Sequence, residues 1–488
     1  MYPEGTTMIY SNLTPRKSRL EGVNSIVVFG IQHFIKKYLL GKFQTEFFDR
    51  PWAAIDEEYK YAIGTDTAHI KRLHDLKYLP IEIQALPEGV RCPIQVPCMV
   101  MWNTLPDFYW LTNYLETLIS CCVWQPMTSA TIAAEYRKLL TKYALETTGS
   151  SDFVQWQAHD FSMRGMSSLE SAILSGMGHL TSFTGTDTIP AIYALRNSYK
   201  GEGLIGASVP ATEHSVMCMG EKDSEIETFS RLLDLYPKGI LSVVSDTWDL
   251  WKVMTEFMPD LKDKILARDG KLVIRPDSGD PCDIICGTNS YYSAANTGRV
   301  KTIQEDTPQG KGVIELLWDV FGGKTNVYGY KELDPHVGAI YGDSITLQRA
   351  EQICERLKAK GFASTNIVFG VGSYTYQYNT RDTMGFAMKA TYGEVEEDVS
   401  RLDSSTGRSI RGREIFKNPI TDDGTKKSAK GLICVVWDNE NQRLVLKDQS
   451  TWAMVHHEIN ELKTVFKDGK LLVEHSLEEI RARIAVGL

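Results

Sequence analysis

Between residues 151 and 390 the chain repeats one motif. A short apolar run ends in polar or glycine residues, and a helical pattern usually follows. Trp156-Gln157-Ala158 runs into His159-Asp160-Phe161-Ser162-Met163-Arg164-Gly165, and Leu180-Thr181-Ser182-Phe183 into Thr184-Gly185-Thr186-Asp187-Thr188. Ala207-Ser208-Val209-Pro210 leads to Ala211-Thr212-Glu213-His214-Ser215, and Leu241-Ser242-Val243-Val244 to Ser245-Asp246. Lys271-Leu272-Val273-Ile274 precedes Arg275-Pro276-Asp277-Ser278-Gly279-Asp280-Pro281. Val337 to Tyr341 leads to Gly342-Asp343-Ser344, and Ile367-Val368-Phe369 to Gly370-Val371-Gly372-Ser373; Phe386 to Lys389 reads as one more strand. Strands alternating with helices build parallel βα units. Seven or eight of them over roughly 240 residues match a closed (β/α) barrel, whose active groups gather at the C-terminal strand ends. The expected fold is therefore α/β, with a barrel-like domain over 151–390.

The most chemically loaded strand end is Arg275 to Pro281. Arg275 can grip phosphate or carboxylate bidentately, and Asp277 can hold a hydroxyl or a magnesium shell. A strand-end turn with a surface ion pair reads the same way in isolation, and such pairs contribute little. What separates the two readings is that several strand ends carry comparable polar groups. Asp343 or Ser344 suits the N-cap of a helix over 345–360, which Gly361 would close.

Residues 1–150 mix short strands and helices. Residues 110–122 and 130–147 carry helical periodicity, with Gly149 as a stop. Residues 92–102 read as a strand broken by proline. His33 lacks a partner at helical spacing and reads as a packed histidine rather than a ligand. Residues 391–413 read as a polar excursion. The lysines at 417, 426, 427 and 430 form a solvated loop or a phosphate-collecting lid, and a helix follows over 476–485.

Composition excludes several classes. A formal net charge of -9 lacks the broad basic field of a general nucleic-acid binder. No run of roughly 18 apolar residues crosses a bilayer, and the first residues lack the basic and apolar regions of a secretion signal. The nine cysteines are scattered without a paired CxxC spacing, and Cys121-Cys122 reads as buried thiols. A reducing, cytoplasmic compartment is expected. A barrel metallohydrolase is disfavoured, since no HxH or paired-histidine set lies at a strand end; His456-His457 sits late and side by side.

Taken in order, HDFSMRG (159–165), GTDT (185–188), SVPATEHS (208–215), SVVSD (242–246), IRPDSGDP (274–281), YGD (341–343) and the 381–389 segment resemble the nicotinamide phosphoribosyltransferase family. The likeness extends to WLTNYLET (110–117), PIEI (80–83) and IFKNP (415–419), so it spans nearly the whole chain. It implies an α/β barrel plus a second α+β domain built from both chain ends, 1–150 and 391–488. It also implies a homodimer that condenses nicotinamide with 5-phosphoribosyl-1-pyrophosphate, with Mg2+ and with ATP as co-substrate.

The resemblance further implies residue roles. Phe161 would stack on nicotinamide, and Asp187 would accept from its carboxamide nitrogen. Arg164, His214 and Arg275 would hold pyrophosphate and phosphate oxygens, and Asp277 would hold ribose hydroxyls. Gly342, Asp343, Gly372 and Ser373 would cradle the 5′-phosphate, with Arg381 adding charge. Ser208, Ser242 and Asp246 match positions lining a central tunnel. Arg16, Lys389, Lys417 and Lys426 match a basic set contributed across the dimer. His214 is the expected site of phosphorylation by ATP, oriented by Glu213, Asp246 or Asp277, with Asp277 and Arg275 also catalytic. Two positions depart from the family pattern. The Asp-Ser-Tyr-Lys segment expected before Tyr2-Pro3 is not in this sequence, and Ser373 stands where the family has Gly. The alternatives are a nicotinate enzyme of the same fold and an inactive homologue serving as a binding dimer. Asp187 argues against nicotinate, because two carboxylates repel in a dry pocket.

Overall fold

The computed structural model describes residues 2–64, 66–288, 306–398, 408–417 and 429–487. Two compact units share the chain. One comprises residues 1–131, 193–203 and 379–487, and the other comprises 132–192 and 204–378.

The second unit contains the repeating motif. Its strands Ala158–Asp160, Gly185–Thr186, Lys238–Val244, Asp269–Arg275, Val337–Tyr341 and Ile367–Val371 are all parallel. Ile367–Val371 pairs with both Val337–Tyr341 and Ala158–Asp160, so the last strand returns to the first. The gap between Gly185–Thr186 and Lys238–Val244 is spanned by residues 207–211. There Ala207 bridges Gly185, and Ala211 bridges Ser242, both in parallel. Seven segments thus follow one another round a ring in sequence order, as successive βα units do. Leu241, Val243, Leu272, Ile274, Ala339, Phe369 and Val371 are buried along it.

Helix Leu347–Ala359 shows why the outer layer forms. Its buried residues Ala350, Ile353, Cys354 and Leu357 recur at helical spacing and make one apolar stripe. Thr346, rather than Asp343 or Ser344, is its N-cap; the Thr346 hydroxyl accepts from the Arg349 N–H at 3.2 Å. Ser344 is excluded because its φ of 49° puts it in a left-handed turn before the helix. Gly361, with φ 76°, closes the helix as expected. A second difference lies at residues 180–183. They form the turn after helix Leu169–His179, and the strand is only Gly185–Thr186. Leu180 and Phe183 are buried there as a helix end packs down, which an apolar run alone does not distinguish from a strand.

The first unit is built on a seven-stranded antiparallel sheet. Its order is Arg408–Glu414, Phe386–Asp398, Thr6–Pro15, Met99–Asn103, Ile81–Ala85, Lys463–Lys467 and Lys470–Leu471. Phe386 to Lys389 therefore belongs to this sheet and not to the barrel, and residues 386–398 and 408–414 pair as antiparallel strands where a polar excursion was expected. Residues 193–203 join this unit through a buried carboxylate. Glu88 accepts from the Tyr199 hydroxyl at 2.8 Å and from the Gly30 and Gln32 N–H groups at 3.0 and 2.6 Å. Burial raises the Glu88 pKa, and those donors oppose the rise. His33 is buried with Nδ1 2.7 Å from the Ser198 hydroxyl, a packed histidine as its sequence context indicates. Cys122 is buried but Cys121 is exposed, because neighbours on helix Leu111–Cys122 face different directions.

Candidate active site at the strand ends

Two consecutive strand ends supply the centre of the barrel site. His159 and Phe161, two residues apart, both line a cavity of about 390 Å³ within the barrel, together with Asp187, Ser208, Ser242 and Arg275. His159 Nε2 lies 2.8 Å from Asp187 Oδ1, and the Ser208 hydroxyl donates to the same oxygen at 2.5 Å. Oδ2 makes no hydrogen bond among the described residues, so it remains free to accept from an incoming N–H. Burial pushes the Asp187 carboxyl up. The His159 and Ser208 hydrogen bonds and the charge of Arg275 outweigh it, and the net pKa lies below its ordinary value. Asp187 is thus an anion facing a largely apolar cavity. Ser242 adds a buried hydroxyl with no hydrogen-bond partner among the described residues.

The Phe161 ring is held closely on its own side of the barrel. A Cβ at Gly370 would collide with the ring edge, and one at Gly342 would sit 3.0 Å from it. Glycine at both strand ends lets the ring lie against bare backbone. The Arg275 guanidinium carbon stands 5.9 Å from the ring centroid, within cation–π range. The His159 ring lies 4.9 Å from the Phe161 ring at a 54° tilt. Beneath them Asp160, fully buried, accepts from Ser162 N at 2.9 Å and from the Thr186 hydroxyl at 3.3 Å. Its carbonyl accepts from Asp187 N at 2.9 Å, so one residue ties the Phe161 turn to the Asp187 turn.

The Arg275 to Pro281 turn is fixed from the neighbouring strand. Asp246 Oδ2 accepts from Asp277 N at 2.8 Å and from the Ser278 hydroxyl at 2.6 Å, while its Oδ1 is buried without a hydrogen-bond partner among the described residues. The Tyr341 hydroxyl donates to Gly279 O at 2.9 Å. Asp277 faces His214, with Oδ2 3.9 Å from Nε2, and Thr247 Oγ1 lies 3.3 Å from His214 Nδ1. Of the carboxylates offered as the histidine's partner, Asp277 is the one at ion-pair distance. Glu213 instead occupies the N-cap position of helix His214–Met219. Burial lowers the Arg275 pKa, Asp277 and Asp187 oppose that, and nearby Arg164 reinforces it. Arg164 itself is exposed on the turn after Phe161.

Gly342 and Asp343 form the turn after Val337–Tyr341, and Gly372 caps the four-residue helix Ser373–Tyr376. Ser373 adopts a helical rather than left-handed backbone, so serine is unstrained where glycine was expected. Its side chain packs where a Cβ at Gly165 would otherwise point.

Arg16, Lys389 and Lys417 lie in the other unit, where they line a cavity of about 800 Å³ with Lys430 and Arg443. Burial, then the charges of Lys417 and Arg16, lowers the Lys389 pKa; cations gathered this way suit a polyanion. Lys430 sits 4.2 Å over the Phe416 ring. Arg381 is exposed in the same unit, 3.5 Å from Asp382. Lys426 lies outside the described residues. Sequence reasoning missed His159, Thr247 and Arg443 as site residues, while Lys430 belongs to the lysine set read as a phosphate-collecting lid. His159 had a usable signal, since it stands two residues before Phe161 and so shares its face.

Comparison with known proteins identifies the family of the chain. Residues 156–470 match the nicotinate phosphoribosyltransferase (NAPRTase) family. The chain is 48% identical over 503 residues to a protein of Acinetobacter baylyi named nicotinamide phosphoribosyltransferase, covering 99% of this chain and 94% of that one. A Mycoplasma pneumoniae protein of the same name is 37% identical over 452 residues, covering 86% and 92%. Among solved structures, nicotinate-nucleotide pyrophosphorylase from Pyrococcus furiosus superposes with a TM-score of 0.55 at 13% identity, over 99% of this chain and 89% of that one. Human nicotinic acid phosphoribosyltransferase gives 0.54 at 14%, over 99% and 90%; at such identities the likeness concerns the fold. With its barrel strand ends and more than half its length matched, the chain belongs to the nicotinate phosphoribosyltransferase family.

Proposed function

We propose that the chain is a nicotinamide phosphoribosyltransferase, joining nicotinamide to 5-phosphoribosyl-1-pyrophosphate with release of pyrophosphate. The observation that carries the amide over the acid is Asp187. Both of its protein hydrogen bonds fall on Oδ1, leaving an anionic Oδ2 to accept from a carboxamide N–H. A nicotinate carboxylate would meet like charge there. The relatives carrying the nicotinamide name support the same choice.

In this reading Phe161 gives the pyridine ring an aromatic wall. The ring nitrogen attacks C1 of the phosphoribosyl group as the bond to pyrophosphate breaks. Arg275 and Arg164 take the negative oxygens, and Asp277 holds the ribose hydroxyls beside the developing positive charge. Gly342, Asp343, Gly372 and Ser373 receive the 5′-phosphate.

Magnesium, which neutralises the leaving pyrophosphate, fits here as a substrate-held ion. No group of three or more metal-ligating side chains occurs among the described residues, and Asp246 and Asp277 are the carboxylates at hand. ATP enters as a co-substrate that phosphorylates His214. The working unit is a cytoplasmic homodimer in which Arg16, Lys389, Lys417 and Lys426 of each chain serve the other's phosphates.

The test is a product assay with nicotinamide and nicotinate side by side. The expected product is nicotinamide mononucleotide, with pyrophosphate released in equal amount. Formation of only the nicotinate product, or of neither, overturns the reading.

A further inference from the structure

Side chains alternate along a strand, so Arg275, Val273 and Lys271 of Asp269–Arg275 point to the same side. All three line the cavity that holds Phe161 and Asp187. Lys271 lies four residues from Arg275, about 13 Å further along the strand. Around that end the lining is mostly apolar and aromatic, with Val337, Val368, the half-buried Trp156 and the partly exposed Ile240 and Phe153, beside the polar Thr365 and Asn366. The lysine is only partly exposed and makes no hydrogen bond or ion pair among the described residues. Asp334 is the carboxylate whose charge reaches it, but Asp334 Oδ1 is already held by His336, 2.7 Å from Nδ1 and 2.9 Å from the backbone N. Burial lowers the Lys271 pKa. Gly338 makes room for its stem, since a Cβ there would touch Lys271 Cδ at 3.4 Å.

One cavity therefore carries a carboxylate near one end and an unpaired ammonium at the other. A partly desolvated cation without a partner is unfavourable, and an anion beside it relieves that cost. Flat aromatic walls favour a flat aromatic body. We propose that the inner end of the barrel cavity is a second binding site, for small aromatic carboxylates, with Lys271 as its anion-binding group. The class includes nicotinate, the acid that Asp187 turns away at the other end. The cavity thus sorts amide from acid by position, and the site does not depend on which transfer reaction the strand ends perform.

The test is calorimetric titration of the full chain with naphthalene-2-carboxylate. Binding at one site is expected, with affinity falling about tenfold or more in Lys271→Met, as for loss of a hydrogen bond to a charged group. Lys271→Arg should keep most of the affinity, and saturating nicotinamide should leave it unchanged. Should Lys271→Met fail to fold, naphthalene-2-carboxamide must bind the parent chain at least about tenfold more weakly than the acid, for the same reason. Unchanged affinity in a folded Lys271→Met, displacement of the acid one for one by nicotinamide, equal binding of acid and amide, or no binding at all overturns the proposal.

Discussion

Burial alone would tend to neutralise the Asp187 carboxyl, yet its pKa is held low because His159 and Ser208 both donate to it and Arg275 stands nearby. The depressed value keeps the carboxylate ionised as pH falls below neutral, so rejection of an acidic substrate should persist across the working range. Asp187→Asn preserves size and removes the charge. Discrimination against nicotinate, read as the ratio of kcat/KM values, should weaken by about 1–3 kcal/mol. An unaltered ratio would remove Asp187 from the selectivity argument. His214 is the second residue whose surroundings specify a test. It is half exposed, with Asp277 near Nε2 and Thr247 near Nδ1, so an approaching phosphate can reach the ring. An imidazole lone pair can attack the γ-phosphorus of ATP, forming an N–P bond as the bond to ADP breaks. His214→Ala should abolish ATP hydrolysis and ATP stimulation while leaving slow ATP-independent transfer. Label from γ-labelled ATP should appear as an acid-labile, base-stable adduct in the parent only; equal labelling of both proteins defeats the phosphohistidine. Arg275 and Asp277 were legible as candidates from residue type and position at a strand end, and His214 through the family resemblance. His159 was passed over although it shares the face of Phe161, because its hydrogen bond to Asp187, 28 residues later, is a tertiary fact.

Elements carry the site through contacts that a linear reading does not contain. The imidazole of His179 is the clearest case. Nε2 lies 3.1 Å from the Gly185 carbonyl, which can only accept, so Nε2 bears the proton and Nδ1 accepts from the Tyr376 hydroxyl at 2.8 Å. One neutral ring thereby ties strand Gly185–Thr186, just before Asp187, to helix Ser373–Tyr376. Burial pulls the His179 pKa well below its ordinary value, against the opposing charge of Asp160. The unfolded chain binds a proton at this histidine below about pH 6.5 and the folded chain does not, so stability falls as pH drops through that range. The expected slope from this group is at most about 1.4 kcal/mol per pH unit. His179→Gln should cost stability at pH 7 and lose less than the parent between pH 7 and pH 5, as read from urea unfolding at each pH. A parent-to-variant difference that stays constant with pH would show that His179 does not titrate there. The βα texture was legible because buried parallel strands read as short apolar runs. The run at 180–183 was misplaced because a buried helix end looks the same. Phe386 to Lys389 went to the wrong sheet because pairing partners are tertiary facts: Phe386 pairs with Pro15 and Lys389 with Asn12, some 370 residues away.

At the scale of the whole molecule, charge is distributed against the average. The chain carries a formal net charge of -9, yet one unit gathers Arg16, Lys389, Lys417, Lys430 and Arg443 round a single cavity. Antiparallel pairing of Thr6–Pro15 with Phe386–Asp398 brings Arg16 and Lys389 together from the two ends of the sequence. Burial first, and then the like charges of Lys417 and Arg16, lower the Lys389 pKa, and a bound polyphosphate would relieve the repulsion among these cations. The proposed dimer uses these cations to complete the partner's strand-end site, which makes the arrangement testable by complementation. Arg275→Ala removes a group at the barrel strand ends, and Lys417→Ala removes one from the basic cavity; each variant alone should be nearly inactive. In a mixed dimer with shared sites, one site carries both lesions and the other carries neither. Random exchange of equal amounts makes half the dimers mixed, so activity should recover to about a quarter of the parent value. If each site is instead built from one chain, every site keeps one lesion and no recovery occurs. Exchange is verified independently by mixing chains of different mass and resolving the hybrid, so that persistent inactivity in the presence of hybrid dimers counts directly against shared sites.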